Sequence, residues 1–393
     1  MRIGLKPAVF FLSFFLWIGA SFAQPDEQGA TEKRETIWFD PEDDYFDMSD
    51  FIINMHGFVP VPIVITEPAV GGFGLGVVPV FITPNKPIER DGKKYPVMPD
   101  MTMAGGAYTA NKTWLVAGGK IGVIEKYGLQ YKILGAYADA KLDFYEHLPR
   151  LNRDAKFKLD IKTTPVYLSL AKQLSDPRFT FGVDYLFAKV DVSPRVENSD
   201  IPQKWIRSFD SVLSALGILA EFDGRDNIFT PNKGIKASIH ARASSKSLGS
   251  DFDYQTFEEA LYWYHPVMPR WVSALRFDTQ QITGSPPFYV KPFIDMRAVP
   301  SVKYQGDFTG LIETEQRFDI GPQKRWSVVG FAGAGKAFNT MNDFSDQKWV
   351  YSYGIGARYL LAKKLNLRVG LDIAKGRDGY AYYIVFGSSW MRQ

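Results

Sequence analysis

Residues 365 to 375 run LNLRVGLDIAK, with Leu365, Leu367, Val369, Leu371 and Ile373 at every odd position and Asn366, Arg368, Gly370 and Asp372 between them. Period-two alternation specifies a strand with one apolar and one polar face. The pattern recurs. Ile235, Ala237, Ile239, Ala241 and Ala243 alternate with Lys236, Ser238, His240 and Arg242. Ala138, Ala140, Leu142 and Phe144 alternate with Asp139, Lys141 and Asp143, and Leu275, Phe277 and Thr279 with Arg276, Asp278 and Gln280. Tyr380, Tyr382, Ile384, Phe386 and Trp390 share one face near the C-terminus. Any one such strand also suits half of a soluble sandwich. Charges of both signs on the polar face of strand after strand, with Tyr and Trp toward strand ends on the other, favour a membrane barrel with a wet lumen and a lipid-facing exterior. On that reading Arg368 and Asp372 face hydrated lumen and the leucines face hydrocarbon.

Fifteen strand candidates follow from this pattern, from 71–82 to 365–375 and 379–390. A sixteenth lies in FVPVPIVITEP (58 to 68), whose three prolines make it a poor interior strand. The expected fold is therefore an all-β, transmembrane antiparallel β-barrel of sixteen strands, closed by pairing the last strand with the first. Tight connectors at 125–128, 174–178, 265–270 and 361–364 are expected on the periplasmic side. Long ones at 83–101, 144–156, 193–210 and 284–306 are expected outside.

Composition narrows the compartment. Arg2 and Lys6 precede an apolar run from Ala8 to Trp17 and then Ser21-Phe22-Ala23, the layout of a secretory signal peptide over 1–23. Residues 24–57 are then an acidic periplasmic segment and 58–393 the barrel. Removing the signal leaves 44 Lys and Arg of 46 against 43 acidic residues, a net of +1 that gives no case for nucleic acid as partner. There is no Cys, which excludes disulfides, thiolate metal sites and a lipoprotein anchor. Aromatic residues are 15 % of the chain, yet no stretch after the signal approaches the ~20 apolar residues of a spanning helix.

Chemical motifs are few. GFAGAGKA (330 to 337) fits G-x-x-x-x-G-K, but Ala337 stands where a magnesium-binding hydroxyl belongs and the stretch sits within a strand. It is better taken as a glycine-lined strand against which something packs, with no nucleotide as partner. His56, His147, His240 and His265 have no metal-ligand spacing, and no G-x-S-x-G elbow is present, so no metal, cofactor or covalent chemistry is implied. A Ser-His hydrolase within the barrel would start from His240. In EFDGRDNIFTPNKG (221 to 234), Pro231 and Gly234 punctuate a reversal in which Asp223, Arg225, Asp226 and Asn227 can satisfy backbone groups. This periplasmic turn reads as structural ahead of a docking site on the rim.

That turn, with SLGSDFDYQTFEEALYWYHPV (247 to 267) and GSPPFYVKPFIDMRAVPSVKYQGDFTGLIETEQRF (284 to 318), resembles the barrel of the BamA/TamA outer-membrane assembly family, the bacterial surface antigen group. The likeness is most specific over 211–390. It implies that the loop at 284–306 folds into the lumen and that Arg297, matching the Arg of an Arg-Gly-aromatic tip, is held by acidic groups on the wall. Ala298 and Val299 replace the Gly and the aromatic. Glu315 and Arg317 match the family's Glu-x-Arg strand, with Glu313 on the same face. The family's second acidic partner would fall at Gly333, between Phe331 and Gly335, so Glu315 is the implied partner of Arg297 in a conformational lock. The resemblance further makes Tyr380, Tyr382, Ile384, Phe386 and Trp390 a C-terminal assembly signal. Family members that handle proteins carry periplasmic POTRA modules, for which the some 35 residues between Gln24 and Phe58 are too few. The implied role is movement or insertion of polypeptide or lipid in the outer membrane, with outer-membrane lipid and a separate periplasmic protein as partners. The rivals are a gated pore for small solutes and a surface antigen or adhesin.

Overall fold

The computed structural model describes residues 38–53, 57–66, 68–83, 88–90, 93–95, 100–124, 126–148, 153–195 and 208–390. The expected signal peptide lies outside them. Sixteen antiparallel strands form one sheet: β1 (Gly57–Ile65), β2 (Gly74–Thr83), β5 (Asp100–Thr109), β6 (Trp114–Ile124), β7 (Leu129–Leu148), β8 (Arg153–Gln173), β9 (Phe179–Pro194), β10 (Phe209–Asp223), β11 (Gly234–Ser244), β12 (Tyr254–Met268), β13 (Trp271–Gly284), β14 (Phe308–Ile320), β15 (Trp326–Phe338), β16 (Val350–Ala362), β17 (Leu367–Gly376) and β18 (Gly379–Phe386). A small separate hairpin, β3 (Ile88–Arg90) with β4 (Lys93–Tyr95), lies between β2 and β5. Each barrel strand pairs with its neighbour in sequence, giving a nearly closed up-and-down barrel.

Closure is incomplete. Among the described residues no ladder joins β18 to β1, contrary to the expected pairing. The sequence of β1 contributes a reason. Pro60 stands opposite Pro79 of β2. Two facing prolines have no N–H to exchange, so they form a non-hydrogen-bonded pair. Pro60, and by alternation Pro62, therefore turn nitrogens without hydrogens toward the free edge, where proline is tolerated.

The outer face is that of a membrane protein. Ile218, Ile239, Ile355 and Leu371 point outward, with Ile355 66 % and Leu371 62 % exposed. A soluble protein rarely exposes so continuous an apolar surface. Trp263, Phe318 and Trp326 mark the outward positions at the end carrying the short turns, and Tyr351, Tyr353, Tyr380 and Tyr382 those at the other. Counting strands places the acidic segment and the adjoining ends of β2 and β5 at the short-turn end, so the connection at 83–101, expected outside, starts and ends on the side of the tight turns.

Strand length explains where alternation misleads. β7 and β8 have 20 and 21 residues, so β7 alone is about 65 Å long and its far end clears a hydrocarbon layer of about 30 Å even when tilted. There the faces exchange solvents. Ala138, Ala140 and Leu142 are buried inside with Leu159 and Ile161, while Asp139 and Lys141 lie on the outward face with Ile133 and Tyr137. In β17 the expected division holds for Leu371 and Ile373, which are exposed, but Leu365 and Leu367 are buried with Ala362 and Phe229. Arg368 and Asp372 face inward and are buried as well, because the interior is occupied by protein.

Candidate functional site

Inward positions of β13 and β14 carry charges at period two, Arg358 of β16 and Arg368 and Asp372 of β17 add to them, and the loop between β13 and β14 descends among them. Ile294, Met296, Arg297, Ala298, Val299 and Val302 of that loop are all buried. Space comes from glycines. A Cβ at Gly333 would meet Glu313 Cγ at 2.5 Å and Met296 Sδ at 3.0 Å, and one at Gly376 would strike the carbonyl of Ala298. The GFAGAGKA stretch is thus the surface against which the loop packs.

Arg297 is 3 % exposed and sits at the centre. Its Nη1 donates to Glu315 Oε2 at 3.0 Å, Asp372 Oδ2 at 2.8 Å and Ser389 Oγ at 3.1 Å. Its guanidinium lies 3.3 Å from the ring centroid of Phe331, a cation–π contact away from bulk water. The main chain is held too: Ala298 N donates to Tyr383 Oη at 2.8 Å, and Ser352 Oγ donates to the carbonyl of Arg297. Ala298 has φ +57°, the left-handed conformation that glycine adopts freely, so the tip keeps a glycine-like backbone without glycine.

Asp372 joins two arginines, accepting from Arg358 Nη1 at 2.5 Å and Nη2 at 3.0 Å as well as from Arg297. Glu313 does not contact Arg297. It accepts from Arg276 Nη1 at 2.6 Å, and the same nitrogen reaches the carbonyl of Asp295 at 3.1 Å while Arg276 also pairs with Asp278. Arg317 points the other way, toward Asn232 and to Asp319 at 3.4 Å. So of the three strand residues grouped around Arg297 only Glu315 touches it, because the strand rise carries positions 313 and 317 past the loop tip.

The turn at 223–234 reaches inward from the short-turn end. Arg225 pairs with Asp223 at 2.7 Å, Asp226 Oδ1 accepts from the N–H of Asn232 at 2.9 Å and Lys233 at 3.1 Å, and Asn227 Oδ1 accepts from Phe229 and Thr230, both at 2.8 Å. Gly234 has φ +112°, next to the backbone of Gly224, while Pro231 leads into the strand beyond. Across the mouth, Asn227 Nδ2 donates to Leu365 O at 3.0 Å and Asn366 Nδ2 to Thr230 O at 2.7 Å, which buries Leu365 and Leu367 beneath Phe229.

The C-terminal residues complete the interior. Tyr380 and Tyr382 point outward, but β18 ends at Phe386, past Ile384, and the chain turns in at Gly387 with φ +70°. Ser389 Oγ donates to Glu315 Oε2 at 2.6 Å, and Trp390 lies buried against Tyr262 and Tyr264. Trp390 therefore leaves the face predicted for it. At the loop end Tyr289 bonds Ser211 Oγ at 2.5 Å, and burial pushes its hydroxyl pKa up to about 12, so it stays neutral. His240 Nε2 is 2.6 Å from Asp184 Oδ2, and Asp184 Oδ1 accepts from Arg242.

Residues 127–289 match the Omp85 superfamily domain. That stretch, and the sixteen-strand sheet around it, make the chain similar to Omp85-superfamily barrels. It is similar in fold to BamA from Haemophilus ducreyi lacking POTRA domains 1–3, at TM-score 0.60 and 12 % identity over 85 % of this chain and 70 % of that one. CdiB from Acinetobacter baumannii matches at 0.52 and 10 %, over 84 % of this chain and 59 % of its own, and CdiB from Escherichia coli at 0.53 and 11 %, over 84 % and 62 %. The chain thus spans less than two thirds of the CdiB proteins. No curated protein matches it. Here the acid facing Arg297 from outside β14 is Asp372 of β17, not a residue of β15 where the resemblance would place it. The sign was available in sequence: Asp372 sits on the polar face of the alternating stretch 365–375. Arg276, Asp278 and Arg358 were equally legible as inward charges, but only the register fixes which of them meet.

Proposed function

We propose that this barrel acts in the outer membrane on polypeptide or lipid at its wall, using the seam between β1 and β18 instead of a channel through its centre. One contrast carries the reading: the interior is filled by the descending loop, the 223–234 turn and residues 387–390, while the two seam strands share no ladder among the described residues. A filled lumen favours sideways passage over axial conduction. On this reading Arg297, Glu315 and Asp372 are a lock that keeps the loop seated, the 223–234 turn braces the opposite mouth, and the residues of β18 with Trp390 are the segment whose placement completes assembly. The barrel would be delivered by its signal peptide, and substrate by a separate periplasmic protein.

The test is reconstitution. Vesicles holding the full chain are expected to accelerate insertion of an unfolded outer-membrane barrel, and planar bilayers to record a mostly closed barrel with brief openings. Steady open current without any acceleration would transfer the assignment to a solute pore.

A further inference from the structure

The segment before β1 forms a second, unexplained construction on the rim. Residues 38–40 and 45–47 make a short hairpin: Phe39 and Phe46 form an antiparallel bridge, Asp40 N donates to Tyr45 O at 2.9 Å and Asp47 N to Trp38 O at 2.9 Å. Alternation then puts Asp40 and Asp47 on one face and Phe39 and Phe46 on the other. The acidic face is fully used. Arg325, 1 % exposed in the turn between β14 and β15, donates to Asp40 at 2.6 Å, Asp43 at 2.7 Å and Asp47 at 2.6 Å. Lys363 reaches Asp40 at 2.9 Å and Glu42 at 2.5 Å.

The aromatic face is left open. Phe39 and Phe46 are 46 % and 40 % exposed and pack edge-on to one another, and Trp38 at the hairpin's end is 42 % exposed, stacked on Phe46 and 4.8 Å from Phe51. Their neighbours identify the surroundings. Tyr359 Oη donates to Phe46 O at 2.6 Å, and Tyr359 packs at 4.9 Å from Trp326, both on the outward face at the short-turn end. The hairpin thus continues the barrel's own lipid-facing aromatic surface. Clustered Trp and Phe beside a membrane-interface girdle suit the headgroup level, where an aromatic ring meets acyl chains and its polar edge meets water.

We infer that residues 38–47 are an interfacial membrane anchor, seated in the phospholipid leaflet on the short-turn side beside β15 and β16, with the Arg325 clamp holding the hairpin at that depth. The occupant is lipid because the exposed rings adjoin the lipid-facing wall while Asp40, Asp43 and Asp47 are turned toward Arg325, leaving Glu42 and Asp44 exposed at the hairpin tip, away from the rings.

The absence of native cysteine makes the test direct. Full chains carrying F39C, F46C, E42C or L371C are labelled with an environment-sensitive fluorophore and reconstituted in phosphatidylcholine vesicles containing a nitroxide-labelled phosphatidylcholine. Each of the first two variants keeps the other ring and the whole clamp, so folding is preserved. Lipid-borne quenching at 39 and 46 is expected within about twofold of that at the lipid-facing position 371, with little at 42. Quenching at 39 and 46 by aqueous iodide to the level seen at 42, without lipid quenching, would overturn the anchor and leave the face to a soluble partner.

Discussion

The wall from β5 to β9 and the wall from β13 to β18 belong to one continuous sheet, yet they fill the interior by opposite means. The first is mainly apolar inside: Met101, Met103, Ile121, Leu142, Ile161, Val190 and Val192 are buried in one cluster, and the buried charge of Asp184 on β9 is met by Arg242 and His240 of β11. The second buries Arg276, Asp278, Arg297, Glu313, Arg317, Arg358, Arg368 and Asp372. An apolar cluster tolerates small errors of register because burial is non-directional. A set of buried charges does not, since each needs its own partners in place. The strands that meet the loop and the C-terminal residues are the ones built to report whether those pieces are correctly seated.

The sharpest way to break the ionic half is Asp372→Asn. It leaves Arg297 and Arg358 short of a carboxylate and should cost about 3–5 kcal/mol, read as earlier loss of the folded band on heating in detergent. Exchanging the charges of Arg297 and Glu315 is expected to rescue little by itself, because the carboxylate introduced at 297 would then face Asp372. Adding Asp372→Asn to that exchange should recover part of the loss. Full rescue by the two-residue exchange would mean that Asp372 contributes nothing to the seat.

In the apolar half, Leu142→Ala should cost about 2–4 kcal/mol through lost burial and a residual cavity. The same heating assay reads it, and the position of the loop, followed by a fluorophore at Lys303, should not change. A smaller effect concerns the hairpin clamp. Hydrogen bonds from Arg325 lower the Asp43 carboxyl pKa; for Asp47, burial acts upward but is outweighed by hydrogen bonds from Ser49 and Arg325. Hydrogen bonds to Asp40 and Glu42 raise the Lys363 ammonium. A lowered carboxyl stabilises docking above its ordinary value of 3.8 and loses that contribution as pH falls through the shifted value; a raised ammonium does so below 10.5 and loses it as pH climbs past its own. Protease protection of 38–47 should therefore be flat between these limits and fall off beyond both. The least change is Ala298→Gly, which should stabilise the seated tip by about 1 kcal/mol or less by relieving the left-handed alanine.

How much was legible follows from the same contrast. Alternation alone located the strands and the outward faces of Ile239, Phe277 and Leu371, because the bilayer imposes one rule on every strand at that depth. It failed at Ala138 to Leu142, where the strand leaves the bilayer and the rule inverts, and at Leu365, Leu367 and Trp390, where other segments of the chain cover what would otherwise meet lipid. Arg297 and Glu315 were found together by family likeness. Asp372 was not paired with them because its partner is 75 positions away in sequence, and only the barrel's curvature brings the two within reach.

The two long strands β7 and β8 have a practical consequence. They stand well above β17 and β18, which have 10 and 8 residues, and lie part of the way round the circumference from the seam. A wall of uneven height gives an otherwise near-cylindrical particle a built-in landmark, so that single-particle images of the barrel in a lipid disc can be aligned about the cylinder axis without an added antibody fragment.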